Sequence, residues 1–297
     1  MERTIGFIGL GHMGGPMAEN MQAKFGNLVV FNRSQTKCKE LEQKGARIAS
    51  GLAELAQLAD VIFLCLPGPK EVRQIVSGEG GLLENSRPGQ IIVDFSTVAP
   101  STSMEMTEAA AQKDVTYLDI PVSGGGAGAA KGALSLMIGA TEEEVATLGL
   151  LPYLETVGNK FHYIGKRGGG SAIKVINNYM SFTAQVINGE ALLMADRLGI
   201  PVETFYKVVT SSSGNNLLLG AKMNKVVSGE FSPSFTVDLV LKDLELARQL
   251  CQDCGIPNFT LNTGIQFYRA AQLSGLGGKD SSSVIEMIRN SGSSAEQ

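Results

Sequence analysis

The sequence predicts an α/β protein whose first domain, residues 1–164, is a parallel sheet covered by helices and whose second domain, residues 165–297, is all-helical. Two observations support this. In the first half, short and continuously apolar runs alternate with helical patterns, which is typical of parallel strands buried on both faces. In the second half the strand-like runs stop, and a helical pattern continues without a break from Ser171 to Leu198. The glycine-rich, basic stretch between Tyr163 and Gly170 marks the boundary.

The elements of the first half follow one another as strand and helix. The predicted strands are RTIGFIG, NLVVF, ADVIFLCLPG, GQIIVDFST, VTYLDIPVS and GALSLMIGA, and the predicted helices are GGPMAENMQAKFG, QTKCKELEQKG and PSTSMEMTEAAAQKD. Gly26 and Gly45 end the first two helices. Because a helix between two strands acts as a crossover connection, the strands are expected to run parallel.

The second half begins with one long helix that ends at Gly199-Ile200-Pro201. Its expected length is about 40 Å at 1.5 Å per residue. Five more helical segments are predicted: VETFYKVVTSS, NNLLLGAKMNKVVS, SFTVDLVLKDLELARQLCQDCG, FTLNTGIQFYRAAQLSG and SSSVIEMIRN. The last residues, 291–297, have the composition of a disordered tail.

Composition excludes several classes of function. A net charge of −4 and the absence of a basic run argue against nucleic acid as a partner. The two histidines, His12 and His162, are far apart in the sequence, which argues against a histidine-based metal site and against a Ser-His-Asp triad. The sequence shows no signal or transit pattern and no apolar run long enough for a bilayer, so a cytoplasmic protein without membrane association is expected.

The turn after the first strand carries a phosphate-binding pattern. Gly9-Leu10-Gly11-His12-Met13-Gly14 has the spacing G-x-G-x-x-G, and it joins a strand to a helix. In that context the first glycine permits the tight turn, the second lets a pyrophosphate approach, and the third lets the helix pack on the sheet. A Rossmann dinucleotide-binding domain is therefore predicted. The alternative is a glycine-rich turn that binds no ligand.

The end of the second strand indicates which nicotinamide cofactor is preferred. An NAD site commonly has an acid there for the ribose 2′-hydroxyl. This chain has Asn32-Arg33-Ser34 instead. The Arg33 guanidinium, the Ser34 hydroxyl and the Asn32 amide are suitable donors to a 2′-phosphate. NADP is the predicted cofactor and NAD remains possible. The alternative is that Arg33 is a solvated surface residue.

Four separated stretches resemble the β-hydroxyacid dehydrogenase family. They are GFIGLGHMGGPMAENM, DIPVSGGGAGAAKGALSLMIG, GGGSAIKVINN and KDLELA, which resemble in turn the family's cofactor, substrate, catalytic and second cofactor signatures; DFST also fits. The resemblance covers nearly the whole chain. It implies hydride transfer between NADP(H) and a small hydroxy acid or semialdehyde acid, of the 3-hydroxyisobutyrate dehydrogenase type.

The resemblance also implies roles for individual residues. Ser123, Gly124 and Gly125 are expected to hold the substrate carboxylate, and the alternative is a flexible surface loop. Thr97 is expected near the nicotinamide ribose, although its position also suits a helix cap. Lys242 is expected beside the cofactor, although Asp238 four residues earlier suits a surface ion pair. The full set of expected cofactor residues is Gly9, Gly11, His12, Met13, Gly14, Asn32, Arg33, Ser34, Leu66, Pro67, Thr97 and Lys242.

Lys174 is the expected general acid and base. It lies near the start of an apolar helix, and Asn178, Ser181, Gln185 and Asn188 follow it at i+4, i+7, i+11 and i+14 as a polar stripe. The helix dipole and partial burial disfavour the charged form of the lysine, whereas a bound carboxylate favours it. A lysine in this position can exchange a proton near neutral pH. Asn178 is expected to orient the substrate or the lysine. The alternative is a lysine that extends to the surface.

The substrate stays open at this stage. The loop Thr210 to Asn216 is small and polar, and it resembles the hydroxyisobutyrate or serine dehydrogenase branch. The Asn-Arg-Ser signature resembles the glyoxylate and succinic semialdehyde reductase branch. Imine reductases and a non-catalytic cofactor-binding module are rivals. Lys174 argues against the first, and the set Ser123, Lys174 and Asn178 argues against the second. The apolar helical half predicts a homodimer or homotetramer.

Overall fold

The computed structural model of the chain describes residues 3–292. The chain forms two compact units, which divide after Lys174. The boundary between residues 164 and 165 stays a prediction. Residues 293–297 of the predicted tail lie outside the described residues, and Ser291 and Gly292 end the last helix.

The first unit is built on a six-stranded sheet with the order β3-β2-β1-β4-β5-β6. All its pairs are parallel, which confirms the predicted α/β class. The strands are β1 (Ile5–Ile8), β2 (Leu28–Phe31), β3 (Arg47–Ile48), β4 (Val61–Leu64), β5 (Ile91–Asp94) and β6 (Thr116–Asp119). The helices between them are α1 (Gly14–Phe25), α2 (Gln35–Glu42), α3 (Leu52–Leu58), α4 (Pro69–Val76) and α5 (Pro100–Ala111).

Strands β1, β4 and β5 are buried on both faces because helices cover the sheet on both sides, whereas Arg47 of the edge strand β3 is exposed. Phe7 and Phe63 pack with Val93 in one apolar cluster, while Ile8 and Ile62 belong to a second cluster. Neighbouring residues of a strand point to opposite faces, so these two clusters lie on opposite sides of the sheet. This arrangement explains why the strands are continuously apolar.

A second sheet of three strands, in the order β7-β8-β9, corrects the prediction for VTYLDIPVS and GALSLMIGA. The first segment is two strands, β6 and β7 (Val122–Ser123), because Pro121 breaks the run. Strand β8 (Leu134–Ile138) pairs antiparallel with β7 and parallel with β9 (Gly158–Tyr163). The predicted parallel arrangement is therefore wrong for β7 and β8. Short helices α6 (Gly125–Ala130), α7 (Glu142–Thr147) and α8 (Leu151–Leu154) connect these strands.

The second unit is helical, as predicted. Helix α9 (Gly169–Arg197) starts in the first unit and continues into the second. It is followed by α10 (Val202–Thr210), α11 (Leu217–Ser228), α12 (Val237–Asp253), α13 (Phe259–Ala271) and α14 (Val284–Gly292), with a π-helical segment at Gln272–Leu276 and a 3₁₀ turn at Ser281–Ser283. Val175, Phe182 and Val186 of α9 belong to the apolar core of this unit.

Candidate cofactor and active site

The glycine turn has the geometry of a pyrophosphate cradle. Gly9 has φ +95°, and a Cβ there would overlap the carbonyl oxygen of Cys65. A Cβ on Gly14 would overlap the carbonyl oxygen of Gly9, so close packing of α1 on the turn requires glycine. A Cβ on Gly11, in contrast, would meet no protein atom within 4 Å. The space at Gly11 fits the approach of a dinucleotide, and the three glycines fit the roles that the spacing predicts.

His12 links this turn to the loop after Ser123. A Cβ on Gly126 would overlap the His12 ring, so the imidazole packs directly on that glycine. His12 itself is exposed. The structure thus brings together, within the first unit, the predicted cofactor turn and the predicted carboxylate loop.

Asn32 holds the end of β2 to the glycine turn. Its Oδ1 accepts the backbone N–H of Leu10 at 3.0 Å, and its Nδ2 donates to the carbonyl oxygen of Ser34 at 2.9 Å. These bonds fix the orientation of the Asn32 side chain and leave one hydrogen of its NH₂ group for a ligand. Arg33 and Ser34 are exposed at the same strand end. Donation from these three residues to a cofactor phosphate stays a prediction.

The loops that carry Leu66, Pro67 and Thr97 are joined at the carboxyl edge of the sheet. The Leu66 N–H donates to Oγ of Ser96 at 2.8 Å, and the Ser96 N–H donates to Asp94 at 2.8 Å. Helix α5 begins after Ala99, so the helix-cap interpretation of Thr97 is wrong.

The carboxyl of Asp94 is buried below these loops. It also accepts a 2.6 Å hydrogen bond from the Tyr117 hydroxyl. Burial raises the pKa of the Asp94 carboxyl, although hydrogen bonds from Ser96 and Tyr117 oppose the rise. Asp94 therefore supports the edge from below the expected cofactor residues.

The Ser123 loop is an ordered turn. Ser123 pairs with Ser135 in the antiparallel β7-β8 ladder. Gly124 and Gly125 both have positive φ, +138° and +68°, which an L side chain rarely adopts. Both glycines are exposed. The loop thus presents a serine hydroxyl and bare backbone from a fixed strand end, which suits a carboxylate. The ladder argues against the alternative of a flexible surface loop.

Asp119 is a buried residue of the site that sequence reasoning missed. Its carboxylate accepts the backbone N–H groups of Gly168 and Ser171, both at 2.9 Å, where α9 begins. Burial raises the pKa of the Asp119 carboxyl, while the two backbone donors and Arg167 act in the opposite direction. Asp119 is the first residue of DIPVSGGG, but no local pattern connects it to a helix so far along the chain.

Lys174 lies one turn into α9 and is 9% exposed, while its neighbours Ile173 and Ile176 are 43% and 44% exposed. The lysine is therefore on the buried side of the helix, and the alternative of a surface lysine is wrong. Asn178, one turn further, is 4% exposed. The two residues share one side of α9, as their spacing predicts.

Asn178 is tied to α12 through Asp243, the second residue that sequence reasoning missed. Nδ2 of Asn178 donates to Oδ2 of Asp243 at 2.6 Å, and Nζ of Lys242 lies 2.8 Å from Oδ1 of the same carboxylate. Asp243 is completely buried. Asp238, the residue considered as an ion-pair partner of Lys242, accepts from Gln272 at 2.7 Å. The KD pair of KDLELA was the available signal for Asp243.

Two further residues of the polar stripe, Gln185 and Asn188, bond within the helical unit. Gln185 accepts from the Ser281 hydroxyl at 3.3 Å. Asn188 exchanges two hydrogen bonds with Asn216, at 3.0 and 2.7 Å. Asn216 also caps α11 by accepting the Leu219 N–H at 3.1 Å. These contacts give Gln185 and Asn188 a structural role.

The described residues contain neither a candidate metal cluster nor a helix that could span a membrane. Within residues 3–292, no three His, Cys, Asp or Glu side chains converge closely enough to hold a metal ion. No helix in that range combines the length and the apolar character needed to cross a membrane.

Two family models together match most of the chain. The model described as the NAD binding domain of 6-phosphogluconate dehydrogenase matches residues 4–165, and the model described as NAD-binding of NADP-dependent 3-hydroxyisobutyrate dehydrogenase matches residues 168–288. The chain is 34% identical to 2-(hydroxymethyl)glutarate dehydrogenase of Eubacterium barkeri, over 97% of this chain and 96% of that protein. The chain belongs to the β-hydroxyacid dehydrogenase family. It is an oxidoreductase that uses NAD(P) and acts on CH–OH groups.

Other members of the β-hydroxyacid dehydrogenase family show the same likeness. 3-Sulfolactaldehyde reductase of Escherichia coli is 32% identical over 96% of each chain. A solved structure of 3-hydroxyisobutyrate dehydrogenase from Mycobacterium tuberculosis with L-serine superposes with a TM-score of 0.87, at 28% identity, over 97% of this chain and 100% of that chain. The likeness of this family member extends through both units of the fold.

Proposed function

We propose that this β-hydroxyacid dehydrogenase transfers hydride between NADP(H) and a short acid of the 3-hydroxyisobutyrate type, with Lys174 as general acid and base. The burial of Lys174 on the same side of α9 as Asn178 carries the proposal. Taking a lysine amine out of water disfavours its charged form, and buried ionisable groups gather at functional sites.

The roles of the residues follow from their chemistry. Bound NADP⁺ supplies the hydride acceptor, and NADPH the donor in the reverse direction. The Ser123 hydroxyl and the backbone of Gly124 and Gly125 hold the substrate carboxylate. Lys174 accepts the proton of the substrate hydroxyl as hydride leaves, and returns it to the carbonyl oxygen during reduction. Asn178, fixed by Asp243, orients the reacting groups.

NADP preference is the finer part of the cofactor assignment. Arg33 and Ser34 are exposed at the end of β2, the place where a Rossmann domain meets the adenosine ribose. No carboxylate occupies the Asn32-Arg33-Ser34 segment, and Lys37 adds another positive charge nearby. The match to a model described from an NADP-dependent enzyme supports the same preference.

The proposed substrate is a small carboxylate, and the substrates of two branches of the family are candidates. 3-Hydroxyisobutyrate or L-serine is supported by the relative solved with L-serine. Reduction of glyoxylate or succinic semialdehyde is the alternative, and the NADP-type Asn32-Arg33-Ser34 segment favours it. The small polar residues Ser212, Ser213, Asn215 and Asn216 of the α10–α11 loop are proposed to line the substrate pocket.

Self-association as a homodimer or homotetramer is part of the proposal. Ile173, Met180, Ile187 and Met194 recur every seven residues along α9 and are 43%, 65%, 56% and 62% exposed. Side chains at that interval share one face of a helix, and a long exposed apolar stripe commonly contacts another chain. The cytoplasm is the proposed location.

A substrate panel tests the function. Absorbance of the reduced nicotinamide is followed for NADPH with glyoxylate and with succinic semialdehyde, and for NADP⁺ with 3-hydroxyisobutyrate, 2-(hydroxymethyl)glutarate and L-serine. Turnover of at least one of these acids is expected. Tight NADPH binding without turnover of any of them would contradict the proposed substrates.

The role of Lys174 is tested by two substitutions. Lys174→Ala is expected to lower kcat by about 10²- to 10⁴-fold, the usual contribution of a general acid or base. Lys174→Arg keeps the charge but cannot give up its proton near neutral pH, so a loss of similar size is expected. NADPH affinity, measured by fluorescence titration, is expected to be unchanged in both. Near-normal turnover of either variant would refute the assignment.

A further inference from the structure

The carboxylate of Asp119 caps α9 from the end of strand β6. Its Oδ1 accepts the Gly168 N–H and its Oδ2 accepts the Ser171 N–H, both at 2.9 Å. The first N–H groups of a helix lack partners within the helix, and the side chain of the preceding residue commonly accepts one of them. Here that preceding residue is Gly168, which has no side chain. A carboxylate 49 residues earlier in the chain takes over the role.

Two glycines on neighbouring segments make room for this carboxylate. A Cβ on Gly139 would overlap Oδ1 of Asp119. A Cβ on Gly170 would overlap the carbonyl oxygen of Met137 and come within 3.1 Å of the Asp119 carboxylate. Asp119 is only 1% exposed. Glycine at both positions therefore lets the helix start and the end of β6 approach closely.

Three more contacts hold the same turn within the first unit. Oγ of Ser103, in α5, lies 2.8 Å from Oγ of Ser171. Arg167, just before the turn, donates to the carbonyl oxygen of Gly139 at 3.0 Å and forms an ion pair with Glu144. The start of α9 is thus attached to β6, α5 and the β8–α7 connection.

Lys174 lies one turn beyond this attachment. Residues three and four apart are neighbours on a helix, so the backbone of Lys174 follows the position of Gly170 and Ser171. We propose that Asp119 is a positioning residue for Lys174, which it places for proton transfer by fixing the first turn of α9. The proposal rests on the proposed role of Lys174. It matters because a misplacement of about 1 Å at a reacting group costs roughly 100-fold in rate.

The test is Asp119→Asn, which keeps the shape of the side chain. Asparagine accepts with one oxygen and turns an NH₂ group toward the other backbone N–H, so one of the two cap bonds is lost. We expect kcat to fall by about 10- to 100-fold, with KM for the acid and the Kd for NADPH within about threefold of wild type. The reactions are NADP⁺ with 3-hydroxyisobutyrate and NADPH with succinic semialdehyde.

A double-mutant cycle separates positioning from general structural damage. If Asp119 acts through Lys174, Asp119→Asn lowers the residual turnover of Lys174→Ala by less than about twofold. An equal loss in both backgrounds would contradict the proposal. Asp60→Asn is the matched control, because Asp60 accepts the Thr4 N–H at 2.9 Å before β4, at the opposite end of the strand from the site. Its kinetics should match wild type.

If Asp119→Asn folds poorly, a milder variant and a second measurement still test the proposal. Ser103→Ala removes the hydroxyl bond to Ser171 and keeps the carboxylate, so a smaller fall in kcat, about threefold, is expected with unchanged KM. Amide hydrogen exchange at Ser171 should speed up in both variants without any substrate. Activity that needs Lys174 but is insensitive to Asp119 and Ser103 would overturn the positioning role alone. Activity that is insensitive to Lys174 would overturn the proposed function.

Discussion

Nδ2 of Asn178 donates a 2.6 Å hydrogen bond to Oδ2 of Asp243, and Oδ1 of that carboxylate lies 2.8 Å from Nζ of Lys242. One buried acid thus holds a proposed substrate residue of α9 and a proposed cofactor residue of α12. Oδ2 of Asp243 binds Asn178, and Oδ1 lies beside Lys242. A change at Asp243 should therefore be felt by both ligands, even though its own side chain is completely buried.

Replacing Asp243 with Asn should weaken the binding of cofactor and acid together. The substitution removes the charge that holds Lys242 and one acceptor oxygen. A hydrogen bond to a charged group contributes about 1.5–3 kcal/mol, so both KM values should rise by about tenfold or more. Steady-state kinetics in both ligands measures this. Glu245→Gln, on the same helix but paired with Arg248 and Arg269 near the surface, is the control. Unchanged KM values in Asp243→Asn would contradict the linking role.

Arg33→Ala should remove the preference for NADP. An exposed guanidinium near a 2′-phosphate contributes a charge-assisted bond that NADH does not need, so KM for NADPH should rise by about tenfold or more while KM for NADH changes little. The ratio of the two kcat/KM values is the readout. Arg47→Ala, on β3 and paired with Glu54, should leave this ratio unaltered. If Arg33→Ala also leaves it unaltered, Arg33 is a solvated surface residue.

Gly11→Ala and Gly14→Ala should separate binding from folding. A Cβ at position 11 meets no protein atom within 4 Å, so the variant should fold normally and lose NADPH affinity. A Cβ at position 14 overlaps the carbonyl oxygen of Gly9, so that variant should lose several degrees of Tm through strain at the turn. Fluorescence titration and thermal unfolding measure the two effects. Normal NADPH affinity in Gly11→Ala would place the pyrophosphate elsewhere.

Asp280 should make stability depend on acidity. The carboxyl is completely buried and accepts from Lys222, Lys225, Ser234 and Ser282. Burial alone raises its pKa, but the hydrogen bonds from Ser234, Lys222 and Ser282 outweigh burial and hold the pKa well below its usual range. Because the folded pKa is below the unfolded value of about 3.9, the stabilisation is complete above about pH 5 and is lost as the pH falls further.

The measurement is urea unfolding of wild type and Asp280→Asn between neutral and acidic pH. Breaking a buried ion pair costs about 3 kcal/mol, so the free energy of unfolding should differ by that order near pH 7. The difference should shrink below about pH 4, where the wild-type carboxylate starts to lose its advantage. A difference that stays constant with pH would show that the charge of Asp280 is not what stabilises the unit.

Charges on the exposed apolar stripe of α9, formed by Ile173, Met180, Ile187 and Met194, should dissociate the proposed homo-oligomer. Met180→Glu and Ile187→Glu each place a carboxylate on the exposed apolar face, where burial against another chain would leave the charge unpaired. Light scattering after gel filtration should show a shift from oligomer to monomer. Leu217→Glu, at an 86% exposed position on α11, is the control for added charge. An oligomer that survives both α9 substitutions would place the interface on another surface.

The parts of the fold that local patterns encode were predicted well. The tight turn at Gly9 and the close packing at Gly14 follow from a known spacing between a strand and a helix. Helix α9 was found because its pattern is long, with Gly199 just past its end. Short elements such as α4 and β9 were missed, because eight or fewer residues give too little periodicity to separate a helix or strand from a loop.

The parts of the candidate site that depend on contacts between residues far apart in the sequence could not be predicted from the sequence. The bonds of Asp119 to Ser171 and of Asn178 to Asp243 join residues 52 and 65 positions apart. A sequence shows that these acids exist but not which amide each one meets. For the same reason Asn32 was expected to face a ligand, whereas its amide group also bonds Leu10 and Ser34.

The fit around Asp119 has an evolutionary consequence. Gly139 and Gly170 each exclude a Cβ beside that carboxylate, so none of the three positions is free to drift alone. A relative that abandons the acid loses the partner of two helix amides, while one that gains an alanine at Gly139 displaces the acid. Among descendants of this chain, the three residues should be inherited as a set. Substitutions at the exposed positions 211–215 of the α10–α11 loop, by contrast, should accumulate one at a time as substrates change.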